Sequence, residues 1–98
     1  MSLEKIDDEK IEKAAEIFRS FGNPIRIKII DVLKEKNLRV IDIAEILGYP
    51  QPIISQQIKI LKSAGIVRRI REDQNYMYSL TNPLFSEMIK CMRGCMKI

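Results

Sequence analysis

The chain has 98 residues, with 17 Lys plus Arg against 13 Asp plus Glu, two Cys, and neither His nor Trp. A chain of that length is expected to form one domain, residues 1–98, that buries only roughly 60 to 65% of its unfolded surface, so a dimer is expected. Without His, the commonest general base and the commonest metal ligand are missing, which counts against an enzyme and against a His-held metal. No apolar run is long enough to span a bilayer, and the acidic start with Asp7, Asp8 and Glu9 is unlike a signal peptide. A cytoplasmic protein is expected, and two cysteines four residues apart suit a reducing compartment better than a disulfide framework.

In chain order, Ile11, Ala14, Ala15, Phe18 and Phe21 sit at helical spacing before Gly22-Asn23-Pro24 ends the segment. Asn23 and Pro24 then open a second helix, with Ile25, Ile29, Ile30 and Leu33 as its stripe, expected to stop near Glu35. Val40, Ile43, Ala44 and Leu47 make a short third helix, and Gly48 supplies its left-handed end. From Gln51 to Ala64, Ile54, Ile58 and Leu61 line one face, and Gln51, Ser55, Gln56, Lys59 and Lys62 line the other. Ile66 to Arg71 and Tyr76 to Leu80 alternate as strands around a polar turn, Glu72 to Asn75. Thr81-Asn82-Pro83 starts a last helix carrying Leu84, Phe85, Met88, Ile89, Cys91, Met92, Cys95 and Met96.

Charge is unevenly laid out along this series. Residues 1–16 carry three basic and six acidic side chains, whereas residues 51–71 carry Lys59, Lys62, Arg68, Arg69 and Arg71 with no acid. A local basic block is the footprint expected for a polyanion, although Lys and Arg also serve simply to solvate a face. Two helices joined by Gly48-Tyr49-Pro50 suit a helix-turn-helix, whose second helix enters the DNA major groove by its N-terminal residues. Those residues are Gln51, Pro52, Ile53, Ser55 and Gln56. Gln pairs in bidentate fashion with adenine, Ser bonds donors or acceptors, and an exposed Ile53 suits a thymine methyl. Lys59 and Lys62 suit phosphates, and Arg68, Arg69 and Arg71 charge the adjoining ribbon.

From Phe18 to Leu80 the sequence resembles the ArsR/SmtB family of winged-helix repressors. The matching words are Phe21-Gly22-Asn23-Pro24-Ile25-Arg26, Ile43-Ala44-Glu45-Ile46-Leu47-Gly48, and the run from Gln51-Pro52-Ile53-Ile54-Ser55-Gln56 to Ala64-Gly65-Ile66-Val67. The resemblance implies a mainly α fold with a small β-hairpin, a winged helix-turn-helix in the order α-α-α-α-β-β-α. It implies a repressor that occupies double-stranded operator DNA until an inducer binds, with Gln51, Pro52, Ser55 and Gln56 at the DNA-reading positions. It also implies a homodimer paired through the first and last helices. Ile11 and Phe18 on the first, with Leu84, Met88, Cys91, Met92 and Cys95 on the last, are the candidate interface.

The departures from that family are specific. Arg39-Val40-Ile41 stands where many metal sensors have Cys-Val-Cys, and the chain has no His for the zinc site of the last helix, so no metal and no cofactor is expected. The wing tip is Asp73-Gln74 rather than Gly followed by Arg or Lys. Pro50 stands where a capping Ser is usual, so the start of the reading helix is expected to shift by a residue.

Cys91 and Cys95 admit three readings: small buried hydrophobes, a thiol switch for oxidants or reactive sulfur, or thiolates for a soft metal. Helix geometry puts their Cα atoms roughly 6.2 Å apart, inside the disulfide range of about 4.4 to 6.8 Å. Their Cβ atoms are roughly 6 Å apart where a disulfide wants about 3.8 Å, so direct oxidation would distort the last turn at Gly94. A thiol-reactive small molecule is therefore the candidate inducer. A rival reading from another class is a winged-helix module that docks a protein through its acidic wing tip and apolar last helix.

Overall fold

The computed structural model describes residues 7–96 and orders them as five helices and one hairpin. α1, Asp8–Ser20, is capped by Asp7, whose carboxylate accepts from the Glu9 N–H at 3.1 Å. α2, Pro24–Val32, is capped by Asn23, whose side-chain oxygen accepts from the Ile25 and Arg26 N–H groups. This helix stops at Val32, three residues short of the end expected at Glu35. The Leu33 N–H is still bonded to the Ile29 carbonyl, and a turn follows. Leu33 is nonetheless buried, so the apolar stripe outruns the helical backbone and misleads a reading based on spacing.

α3, Val40–Leu47, begins where the Asp42 carboxylate accepts both the Arg39 backbone N–H and the Arg39 guanidinium. It ends at Gly48, whose φ of 76° is the left-handed conformation that favours glycine. α4, Gln51–Ser63, follows with Pro50 as its cap, so the one-residue shift expected from that proline does not occur. The Pro50 carbonyl accepts from Ile53 at 3.1 Å and Ile54 at 3.3 Å, which needs no side-chain cap.

β1, Val67–Glu72, pairs antiparallel with β2, Asn75–Leu80, in the register Val67 to Leu80 through Glu72 to Asn75. The turn is shorter than the expected four residues, because Glu72 and Asn75 are themselves paired. Asp73 and Gln74 both take positive φ, 47° and 69°, as a two-residue type I′ turn requires. A third segment joins β2: Leu38 and Tyr78 exchange backbone hydrogen bonds at 3.2 and 2.7 Å. Thr81 ties the hairpin to the end of α4 through the carbonyls of Gly65 and Ile66. α5, Leu84–Met96, starts at Asn82, which accepts from the Leu84 N–H.

One apolar core joins these elements, with Ile29 and Ile30 of α2, Ile43 of α3, Ile54, Ile58 and Leu61 of α4, and Ile89 of α5 at its centre. α1 reaches it through Ile17 and through Phe21 just past its end. No helix among the described residues is long and apolar enough to cross a membrane.

Candidate nucleic-acid interface

The helix pair α3 and α4 is set by local chemistry on both sides of a three-residue connection. Gly48 and Tyr49 both donate to the Ala44 carbonyl, closing α3. Tyr49 packs partly against the core, and its hydroxyl accepts from Lys28 Nζ at 2.9 Å, with that ammonium 5.3 Å from the ring centroid. The connection is thus braced to α2. Pro52 carries no N–H and Ile53 donates to Pro50, so the Gln51 N–H is the one left outside the helical ladder at this end.

Burial of Ile54, Ile58 and Leu61 rolls the opposite face of α4 outward. Gln51, Pro52, Ser55, Gln56, Lys59 and Lys62 are all exposed and span about 140° of arc. Ile53 lies off this face and is half-buried, which corrects the expectation of an exposed Ile53. Neither Lys59 nor Lys62 has a salt-bridge partner among the described residues.

The hairpin divides the three arginines that spacing had grouped together. Arg69 and Arg71 share a face with their cross-strand partners Tyr78 and Tyr76, while Arg68 lies on the other face with Ile70 and Met77. The Tyr76 ring holds both cations of its face, with guanidinium carbons 4.4 Å (Arg69) and 5.3 Å (Arg71) from its centroid. Stacking of this kind orders long side chains in advance of any ligand. Glu72 is engaged by Asn37 at 3.4 Å, and Asp73 stands exposed at the tip.

A second surface lies on α1 and α5. On α5, Phe85 and Ile89 pack on the core, whereas Leu84, Cys91 and Cys95 are exposed and Met88 is half-buried. Leu84 is 62% exposed, Phe18 64% and Ile11 48%, values far from those of core side chains. The cysteines are thus free thiols outside the protomer's own core, so burial within the protomer does not explain them. Among the described residues no cluster of His, Cys, Asp and Glu could hold a metal ion. α5 is fastened to α2 by the Arg93 guanidinium, 2.9 Å from the Asp31 carboxylate, which Lys34 also approaches at 3.3 Å. Burial alone would raise the Asp31 pKa, but the hydrogen bonds from Arg93 and Lys34 outweigh it and hold the carboxyl below its usual value.

Sequence reasoning missed the residues that brace this arrangement: Lys28 with Tyr49, Leu38 with Tyr78, and Arg26 with Gln57. The last pair is joined at 2.8 Å across 31 residues of chain. Such partners are separated by more than a helix length and leave no periodic trace.

Residues 23–69 match the family model described as bacterial regulatory protein, arsR family. An uncharacterized HTH-type transcriptional regulator of Methanocaldococcus jannaschii is 43% identical over 83 residues, which cover 84% of this chain and 93% of that protein. The transcriptional repressor PagR of Bacillus anthracis is 33% identical over 89 residues, covering 90% and 89% respectively. The crystal structure of PagR superposes with a TM-score of 0.80 at 30% identity, over 88% of this chain and 99% of that one. A homodimeric winged helix-turn-helix DNA-binding domain from Mycobacterium bovis has the same fold, with a TM-score of 0.81 at 21% identity over 97% of this chain and 91% of that one.

Proposed function

The chain belongs to the ArsR family of winged helix-turn-helix transcriptional repressors, and from that premise we propose that it acts as a cytoplasmic homodimer, each copy a single domain spanning residues 1–98. Each protomer sets α4 into the major groove of operator DNA. The observation that carries this reading is the outward face of α4, polar, basic and free of acid, offered by a braced helix-turn-helix. Gln51, Ser55 and Gln56 read base edges, and Pro52 and Ile53 shape the apolar approach at the start of the helix. Lys59 and Lys62 hold phosphates, and Arg68, Arg69 and Arg71 extend the contact along the wing. Ile11, Phe18, Leu84, Met88, Cys91, Met92 and Cys95 form the dimer contact, a role supported by their apolar character and by the exposure of most of them in the protomer.

The test is a gel-shift titration against an operator duplex and a random duplex, at several salt concentrations. Each phosphate neutralised contributes about −0.9 to the log–log salt slope. Lys59→Ala weakens both duplexes alike, whereas Gln56→Ala weakens the operator selectively. Equal losses from both variants would argue against base reading by α4.

Release from DNA follows modification of Cys91 and Cys95 by an oxidant or a reactive sulfur species, a reading supported by two free thiols one turn apart on α5. With a hydroperoxide, the two thiols give up two protons and two electrons, the O–O bond breaks, and water and an alcohol leave as the S–S bond forms. The last turn of α5 must distort to admit that bond. Retention of the wild-type oxidant response by Cys91→Ser would reject the switch while leaving DNA binding intact.

A further inference from the structure

We propose that Arg26 is a positioning residue that fixes the reading helix α4 relative to α1 by way of Gln57, an inference that rests on the DNA-binding reading above. Arg26 lies in the first turn of α2, where its own N–H is held by the Asn23 cap at 3.2 Å. Its side chain is half-buried and reaches two other helices. Nε donates to the Ser20 carbonyl at 2.9 Å, Nη2 to the Arg19 carbonyl at 3.4 Å, and Nη1 to Gln57 Oε1 at 2.8 Å.

Ser20 and Arg19 lie in the last turn of α1, the carbonyl end that favours a cation, and the Arg19 carbonyl also accepts from the Gly22 N–H at 3.0 Å. Gln57 is the central residue of α4 and flanks its buried stripe. Among the described residues, the Arg26–Gln57 bond is the one side-chain to side-chain hydrogen bond that joins α4 to another element. One rigid guanidinium therefore grips the end of α1 and the middle of α4 together.

The bond adds a directional constraint to the packing beneath α4. An open cleft of about 390 Å³ separates α1 from the C-terminal half of α4, lined in part by Glu16, Arg19, Lys59 and Ser63. The Ile54, Ile58 and Leu61 contacts beneath α4 are apolar and non-directional. A roll of about 10° would carry outward side-chain atoms about 6 Å from the helix axis through about 1 Å. That is enough to take a base contact out of hydrogen-bond range. α1 carries Phe18 immediately before the gripped carbonyls of Arg19 and Ser20, so the grip also relates α4 to the proposed dimer contact. In a dimer it sets the separation of the two reading helices, which must match half-sites about 34 Å apart.

The experiment uses a duplex selected by the wild-type protein from a random library, together with versions carrying one base pair inserted or deleted between half-sites. For Gln57→Leu, the expected result is about tenfold weaker binding to the selected duplex, together with a melting temperature lowered by about 5 °C, the order expected for loss of one charge-assisted hydrogen bond inside the protomer. Its penalty for altered spacing should flatten. Arg26→Lys should flatten it likewise, because an ammonium cannot span the three acceptors that a guanidinium does. Gln57→Glu should keep the wild-type spacing penalty, since its carboxylate accepts the same bond. Wild-type penalties in both Gln57→Leu and Arg26→Lys would overturn the proposal, as would a Gln57→Leu loss that is equal at every spacing, which marks a direct DNA contact. A wild-type protein that enriches no duplex would overturn the DNA-binding reading itself, and this inference with it.

Discussion

α4 and α5 are both 13-residue amphipathic helices with one face in the same core, yet their outer faces differ in kind. The outer face of α4 carries Gln, Ser and Lys, and that of α5 carries Leu84, Met88, Cys91 and Cys95. Water satisfies the first at little cost, while the second leaves apolar surface wet at about 25 cal/mol per Å². The first face is therefore stable alone and suits a charged, hydrated ligand. The second favours a partner that covers it, and α1 adds Ile11 and Phe18 to the same demand. Two apolar stripes on α5 are enough to tell a helix that is merely docked from one that is docked and still sticky.

The comparison breaks most visibly when charge is moved onto the apolar face. Leu84→Glu or Phe18→Glu should leave the far-ultraviolet spectrum of the protomer intact, because neither side chain is in the core. Sedimentation should show a monomer. Affinity for a two-half-site duplex should fall by about 10² or more, since each protomer then binds without the effective concentration supplied by its partner. A Leu84→Glu protein that stays dimeric would remove α5 from the interface.

On the α4 side the effects are smaller and sharper. Gln56→Ala should lower discrimination between operator and random DNA by about 1 to 3 kcal/mol if the contact is bidentate. Lys59→Ala should leave discrimination unchanged and reduce the salt slope by about 0.9, one phosphate's worth. The wing gives a finer distinction. Tyr76→Ala removes the ring on which Arg69 and Arg71 stack, and should weaken binding by less than the loss of either arginine, because charge remains while order is lost.

The sequence made one part of this design plain and hid another. Helices α2 to α5 were legible because burial imposes a 3.6-residue stripe, whereas the α1 stripe of Ile11, Ala14 and Phe18 is exposed in the protomer; the caps Asn23, Gly48 and Asn82 are residue types with a local reason to stand there. The outward residues of α4 followed from the same periodicity, since an outer face is the complement of a buried one. The end of α2 was misplaced because Leu33 is buried without being helical. The wing tip was read too long because Asp73-Gln74 makes a type I′ turn without glycine. The bracing pairs Arg26 with Gln57 and Lys28 with Tyr49 were invisible, because each depends on how helices cross rather than on any spacing along one of them.

The smallest expected effect concerns how α5 is held while its outer face stays free. Asp31 joins α2 to Arg93 of α5, and its carboxyl is held below the ordinary value of 3.8. A carboxyl with a depressed folded value stabilises the fold above the unfolded value, and that contribution is lost as pH falls through the folded one. Arg93 is half exposed, so the pair is worth at most about 1 kcal/mol. Urea unfolding near pH 7 should therefore show Asp31→Asn less stable than wild type by about that amount, and the gap should close as pH falls below the ordinary carboxyl value and through the lowered folded one. A gap that persists in acid would mean that Asp31 supports the junction of α2 and α5 through packing rather than charge. The contrast between the two outer faces would then rest on a core that needs no ion pair to hold α5 in place.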